Sequence, residues 1–236
     1  MKAIYKRELK AYFSSPIGYV VVGVLLALCG FFYYYVLLYQ SSSYIVSQVY
    51  GTMSTFSLMV LPIITMRSMS DDKKNKTDQA LLTAPVSVTA IVLGKFLAAT
   101  SVYAIAMVGS LIPAFIISLL ATSMPWASVL GTVLGSILYG AAVISIGVFI
   151  SSLTESQVIS AIGTFGISIL LILIDSLGSL TGSALVTKVV GWISFSTRYQ
   201  PFTSGIFSIA SVVFFLSVAA VFVFLTARKL ESKRWS

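Results

Sequence analysis

Six long runs of apolar residues decide what this chain can fold into. They lie at residues 17–39, 46–66, 92–120, 128–150, 157–175 and 206–227. A helix needs about 20 apolar residues to cross a bilayer, and in lipid every backbone polar group must be bonded within the protein. Charged residues make up only 9% of the chain, against about 25% in soluble domains. We therefore predict an all-α membrane protein, a single transmembrane domain over residues 1–236 with six spans.

The basic residues indicate how the spans are oriented. Of the 15 Lys and Arg residues, all but Lys188 and Arg198 lie before the first run, between the second run and the start of the third, or after the sixth. Such residues collect in cytoplasmic loops. We expect both termini and the 67–91 loop in the cytoplasm. The net charge of +8 then reflects topology and contact with anionic membrane lipids, not nucleic-acid binding.

Two segments outside the runs have helical character. In residues 1–15, apolar and aromatic side chains share one helical face and basic ones share the other. This pattern is typical of an amphipathic helix in the membrane interface; the alternative is a basic tail that only sets orientation. Residues 176–205 are too polar to span but contain ALVTKVVGWISF, which predicts short helices on the outer side that pack against the spans.

The loop after the second run carries an unusual concentration of charge. Residues 67–78 hold seven charged residues of both signs, which topology does not require. Thr77 suits the N-cap of a short helix, and Pro85 suits its end. Leu81 and Leu82 would be exposed on that helix. Exposed leucines outside a membrane usually dock in a groove, so we favour partner docking over a loop charged for topology alone.

Several kinds of chemistry lack their residues. The chain has no His and one Cys, which removes His-based triads, Cys/His zinc sites and internal disulfides. It has no G-x-x-x-x-G-K-[ST] phosphate-binding loop. No ionisable residue lies in the middle of a run, since Asp175 and Lys95 stand at run ends. We expect no catalytic, metal or cofactor site, and an energy source outside the chain.

The fourth run contains small residues at regular spacing. Gly131, Gly135 and Gly140 lie four or five residues apart. Small residues at this spacing let helix backbones approach closely. We expect these positions to pack within one protomer.

Four stretches carry a resemblance to a known family. They are YKRELKAYFSSPIGYVV, PIITMRSMSDDKKNKTDQALLTAPVSVTAIVLGKFLA, SSLTESQVISA and RYQPFTSGIFSIASVVFFLSVAAVFVFLTARKLESKRW. In order and spacing they resemble the permease subunits of type 2 ABC transporters, closest to the gliding-motility-type branch. The resemblance covers essentially the whole chain and implies a re-entrant segment before the last span.

The resemblance also implies partners and a coupling site. Two permease protomers, identical or different, would pair mainly through spans one and five, where small residues are available: Ser160, Gly163, Thr164 and Ser168. A separate cytoplasmic ATPase would bind ATP and Mg²⁺ and dock on a coupling helix. The implied coupling residues are Asp71, Asp72, Lys73, Lys74, Thr77, Asp78, Leu81, Leu82 and Pro85, with Thr154 and Glu155 in a second loop.

The expected function is that of a permease in an ATP-driven exporter of a bacterial cell membrane. The alternative is a passive channel or a scaffold that docks a cytoplasmic partner. A membrane-embedded enzyme is disfavoured because acid–base and nucleophilic groups are lacking. The uncharged spans favour an amphipathic cargo over a strongly charged one.

Overall fold

The protein is built from helices of very different lengths. The computed structural model describes residues 1–39, 45–77, 86–120, 126–180 and 184–234. All regular elements within these ranges are helical: α1 (Lys2–Ser14), α2 (Pro16–Tyr39), α3 (Ile45–Thr65), α4 (Ser70–Lys74), α5 (Val88–Gly109), α6 (Leu111–Leu120), α7 (Trp126–Leu153), α8 (Gln157–Leu180), α9 (Ala184–Ile193), α10 (Phe195–Thr203) and α11 (Ile209–Arg234).

Six stretches are long and apolar enough to cross a membrane. They correspond to α2, α3, α5 with α6, α7, α8 and α11. The prediction of an all-α membrane protein with six spans is confirmed. The spans begin and end within a few residues of the predicted runs, except that the fourth, fifth and sixth helices extend further at their ends.

The third span, which is one apolar run at 92–120 in the sequence, is divided into two helices. Helix α5 ends at Gly109 and α6 begins at Leu111. Pro113 explains the division, because its ring has no N–H to donate and crowds the carbonyl four residues earlier, which belongs to Gly109. Ser110, between the two helices, shares a hydrogen bond of 2.7 Å between its Oγ and the Tyr50 hydroxyl. This bond fixes the break against α3.

Helix α7 is the centre of the bundle and contacts most of the other spans. A Cβ atom at Gly135 would lie 2.5 Å from the Phe202 ring of α10, and one at Gly140 would overlap the Tyr103 ring of α5. Both glycines therefore make close approaches inside one protomer. Gly131 has open space where its Cβ would be, so it makes no such approach.

The small residues of α8 face the interior of their own bundle. Ser160, Thr164 and Ser168 are all buried, and a Cβ at Gly163 would lie 3.0 Å from Ile150. This placement differs from the expected contact with a second protomer. The reason is that a small polar side chain packs equally well against a helix of the same chain. The outward face of α8 is instead formed by large apolar residues: Val158, Ile159, Ile162 and Leu170.

Helix α1 forms as expected, but its aromatic face packs on protein. The Tyr12 hydroxyl donates to the Ile64 carbonyl of α3 at 2.8 Å. A Cβ at Gly94 would lie 2.9 Å from Cγ2 of Ile4, so the glycine lets α1 approach α5 closely. Of the predicted lipid-facing side chains, Met1 is exposed. The position of α1 in the membrane interface stays a prediction.

The two short helices expected between residues 176 and 205 are present as α9 and α10. Helix α10 is held to α7 by hydrogen bonds. The Tyr199 hydroxyl lies 2.7 Å from Ser136 Oγ, and Thr132 Oγ1 donates to the Phe202 carbonyl at 2.9 Å. The segment before the last span is thereby folded back onto the bundle.

The glycine contacts predict unequal effects of one added methyl group. We expect Gly140→Ala to destabilise the protein by about 1–3 kcal/mol, because the new Cβ would displace the buried Tyr103 ring. Gly131→Ala is the matched control on the same helix, and it should be neutral or slightly stabilising. Thermal unfolding of both variants in detergent would measure this. Equal stability of the two variants would contradict the packing described here.

Candidate functional site

The elements rich in basic residues meet at one end of the bundle, called here the basic end. It contains α1, residues 66–77, the turn at 154–156 and the last turns of α11. Arg7 of α1 lies 3.9 Å from Asp72 of α4. A cleft of about 290 Å³ is lined by Lys73, Glu155 and Lys229, among others. Three segments that are far apart in the sequence are therefore neighbours.

Lys95 is the central cation of the basic end. Its side chain is only 3% exposed, and its Nζ lies 2.7 Å from Asp72 Oδ2 and 3.1 Å from Glu8 Oε1. Nζ also donates to the Ser68 carbonyl at 2.6 Å. A buried ammonium is tolerated only when it is paired and hydrogen-bonded. The three bonds join the foot of α5 to α1 and to the segment that begins α4.

Two arginines extend this cluster. Arg7 donates to Glu8 Oε1 at 2.7 Å, and this bond raises the pKa of the guanidinium although partial burial opposes it. Arg67 donates to Ser15 Oγ at 2.8 Å and lies 5.7 Å from the centre of the Tyr12 ring. Burial raises the pKa of the Tyr12 phenol, so Tyr12 stays a neutral hydrogen-bond donor. We call Glu8, Asp72 and Lys95 the charged clamp.

The N-terminus of α4 is capped from another helix. Ser151 Oγ, at the end of α7, accepts from the backbone N–H groups of Met69 and Ser70 at 3.0 Å each. The same hydroxyl lies 3.2 Å from the Met66 carbonyl, to which it donates. The first N–H groups of a helix have no partner within it, and α4 has no cap from its own side chains. Sequence reasoning missed Ser151, because only the tertiary fold brings it to α4.

The side chains of α4 attach it to the bundle. Asp71 Oδ1 accepts from Gln157 Nε2 at 2.8 Å, and Lys73 Nζ donates to the Ser152 carbonyl. Together with Asp72 in the charged clamp, these side chains contact the chain itself. This differs from the expectation that all three would form a surface for a partner. The sequence shows that a residue is charged but not which charge it faces.

The exposed part of the loop begins after Lys73. Lys74, Asn75, Lys76 and Thr77 are exposed, and Thr77 Oγ1 donates to Asp72 Oδ1 at 2.8 Å. Lys76 has a φ of 56°, so the chain turns sharply after α4. The other expected coupling residues lie outside the described residues: Asp78, Leu81, Leu82 and Pro85.

The second loop lies beside α4. Thr154 is half-buried, and its Oγ1 accepts from the Ser156 N–H at 3.2 Å. Glu155 is exposed and lines the cleft that also contacts Lys73 and Lys229. Among the described residues, no group of three or more Cys, Asp or Glu side chains is placed to hold a metal ion.

The charged clamp predicts that removing the ammonium group of Lys95 alone destabilises the protein more than removing the charges of Lys95, Glu8 and Asp72 together. We expect Lys95→Met to destabilise the protein by about 3–5 kcal/mol, because it leaves two carboxylates close together with only the half-exposed Arg7 beside them. The triple variant Glu8→Gln, Asp72→Asn, Lys95→Met should recover much of this stability. Lys74→Met, an exposed lysine at the same end, is the matched control. Thermal unfolding in detergent measures the stability of all three variants. An equal loss of stability in Lys95→Met and in the triple variant would contradict the charged clamp.

Comparison with known proteins supplies the family. Among curated proteins, none matches the chain at a significant level. The family described as ABC-2 family transporter protein matches residues 17–227. The matched region includes the four middle spans entirely, the first span from its second residue and most of the last span, together with Lys95 and both loops at the basic end. The six apolar spans agree with a multi-pass permease of this kind. The match covers well over half of the sequence, so the chain belongs to the ABC-2 family of transporter membrane proteins.

Proposed function

We propose that the chain is the permease subunit of an ATP-driven exporter and that it receives mechanical force through the loop at the basic end. The observation that carries this proposal is the way α4 is held. A five-residue helix is too short to be stable alone, yet four other elements bond to it. Such a connection would pass a displacement of the loop directly to the spans.

Each contact of α4 has a place in this mechanism. A push on the exposed residues 74–77 would move Asp72, and Lys95 would carry that movement to α5. Glu8 would draw α1 along through the same ammonium group. Ser151 and Gln157 would pass the displacement to α7 and α8. The spans would thus shift together, which is what a change between two access states requires.

The partner that supplies the force would be a separate ATPase. The sequence contains no phosphate-binding loop of the G-x-x-x-x-G-K-[ST] type, and ATP with Mg²⁺ would be bound by that partner. Its docking surface would comprise the exposed residues 74–77, the segment 78–85 with Leu81 and Leu82, and Glu155 in the second loop. Mixed charges and apolar side chains suit a protein groove.

Orientation and assembly complete the proposal. The basic end would face the cytoplasm of a bacterial cell, because Lys and Arg collect on that side. A second permease protomer, identical or different, would pack on the apolar outer faces of α2 and α8. Exposed residues there include Tyr19, Val20, Ile159 and Ile162. Within the family, we place the chain nearest the gliding-motility-type branch.

Docking can be tested with the tagged permease in native membranes. We expect a stoichiometric ATPase to co-purify with the protein in mild detergent. The change Leu81→Asp with Leu82→Asp should abolish this co-purification without loss of membrane insertion, because a carboxylate in an apolar groove is costly.

Single lysine variants refine the test. Lys74→Ala should weaken docking mildly and in a salt-dependent way, because an exposed ion pair contributes only about 0–1 kcal/mol. Lys10→Ala, an exposed lysine on α1, is the matched control and should bind as the natural protein does. Retention of the ATPase by the leucine double variant would remove the docking assignment. No ATPase at all would favour a passive channel or a scaffold.

A further inference from the structure

A polar cleft lies between α3 and α10, away from the basic end. Its volume is about 340 Å³, and the described side chains that line it are polar and uncharged. Gly51, Ser54 and Thr55 form the wall on α3, and Thr197 and Gln200 lie on the α10 side. A polar cleft of this size is large enough for part of a small molecule.

The cleft lies at membrane depth. Thr55 is ten residues before Thr65, the last residue of α3, which corresponds to about 15 Å along the helix axis. The hydrocarbon core of a bilayer is about 30 Å thick. The α3 wall of the cleft therefore extends from the middle of the span toward the end opposite the basic end. Lipid chains cannot hydrogen-bond to polar groups at this depth.

Part of the lining is already bonded within the protein, and part is free. Ser54 Oγ donates to the Gly51 carbonyl at 2.7 Å, and Ser194 Oγ donates to Thr197 Oγ1 at 2.8 Å. By contrast, the Thr55 hydroxyl and the Gln200 amide are exposed and bond to no residue that the structure describes. Free donors and acceptors in a membrane span favour a polar occupant, either water or the polar group of a ligand.

The charge of the lining limits what that occupant can be. Among the residues that the structure describes, no Lys, Arg, Asp or Glu lines the cleft. The nearby Arg198 is directed elsewhere, with its guanidinium 5.6 Å from the centre of the Phe214 ring. A charged headgroup would lose its hydration without gaining a counter-charge. Hydroxyl and amide groups offer both donors and acceptors, which matches a neutral group rich in hydroxyls.

Two exposed apolar residues are adjacent in the sequence to the lining of the cleft. Trp192 and Ile193 directly precede Ser194, which lines the cleft, and they are 66% and 51% exposed. We propose that the cleft binds the uncharged, hydroxyl-bearing headgroup of an amphiphile, such as a glycosyl group on an alkyl chain, with the alkyl chain in contact with apolar side chains such as these. That the amphiphile is transported cargo rests on the proposed function, whereas binding itself needs no ATPase.

The test is equilibrium binding to the full-length chain in phosphatidylcholine nanodiscs. Radiolabelled decyl glucoside is the probe, and decyl sulfate, with the same alkyl chain and a charged headgroup, is the comparison ligand. We expect saturable binding of the glucoside and only non-saturable partitioning of the sulfate. Free glucose at high concentration should compete only weakly, because it lacks the alkyl chain; strong competition would show that the same site takes a free sugar.

A double variant connects binding to the cleft. Thr55→Val with Gln200→Leu removes both free polar groups at little change of volume. It should weaken glucoside binding about tenfold or more, because each lost hydrogen bond contributes about 1 kcal/mol. Thr52→Val is the matched control: its hydroxyl donates to the Gln48 carbonyl at 2.9 Å and does not line the cleft.

A loss of glucoside binding can be distinguished from a loss of folding. The two substituted side chains have no partners among the described residues. The double variant should therefore unfold at the same temperature as the natural protein. Equal binding of glucoside and sulfate, or binding unaffected by the double variant, would overturn the proposal. Failure of ATPase co-purification with intact glucoside binding would instead overturn the exporter function and leave the binding site in place.

Discussion

The arrangement at the basic end depends on the ammonium group of Lys95 between two carboxylates. Charge–charge attraction is strong where water is scarce, and it offsets the cost of burying Lys95 only if Asp72 and Glu8 stay close. That condition fixes three elements at once, since the partners belong to α1, α4 and α5. Apolar packing alone could not do this, because α4 has five residues and offers almost no apolar surface.

The two ends of the bundle differ in how their polar side chains are bonded, although both ends contact the central helix α7. At the basic end, charged side chains are paired with one another and with backbone carbonyls, which produces a rigid connection. Toward the other end, α3 and α10 leave neutral polar groups without partners in a cleft. Helix α7 joins both regions, because Ser151 caps α4 at one end and Ser136 bonds to Tyr199 near the other.

Much of the fold followed from the sequence, because apolar length and proline position have direct physical consequences. The six spans and the two short helices before the last one were predictable from those features. What each helix face packs against was not predictable from the sequence. A helical period identifies the aromatic face of α1 and the small face of α8, but lipid and protein are both apolar neighbours. Asp71, Asp72 and Lys73 were recognised as part of a functional loop, whereas their inward bonds to Gln157, Lys95 and Ser152 require the tertiary structure.

The break at Ser110 gives α5 the properties of a lever. With 22 residues, α5 is a rod of about 33 Å, held near its foot by Lys95 and separated from α6 by the break at its other end. A rotation of about 5° about Lys95, which lies 14 residues before Gly109, would carry the far end by roughly 2 Å. The bond between Ser110 and Tyr50 transfers that motion to α3, the same helix that lines the polar cleft. A small stroke at one membrane surface would therefore be amplified before it reaches the other.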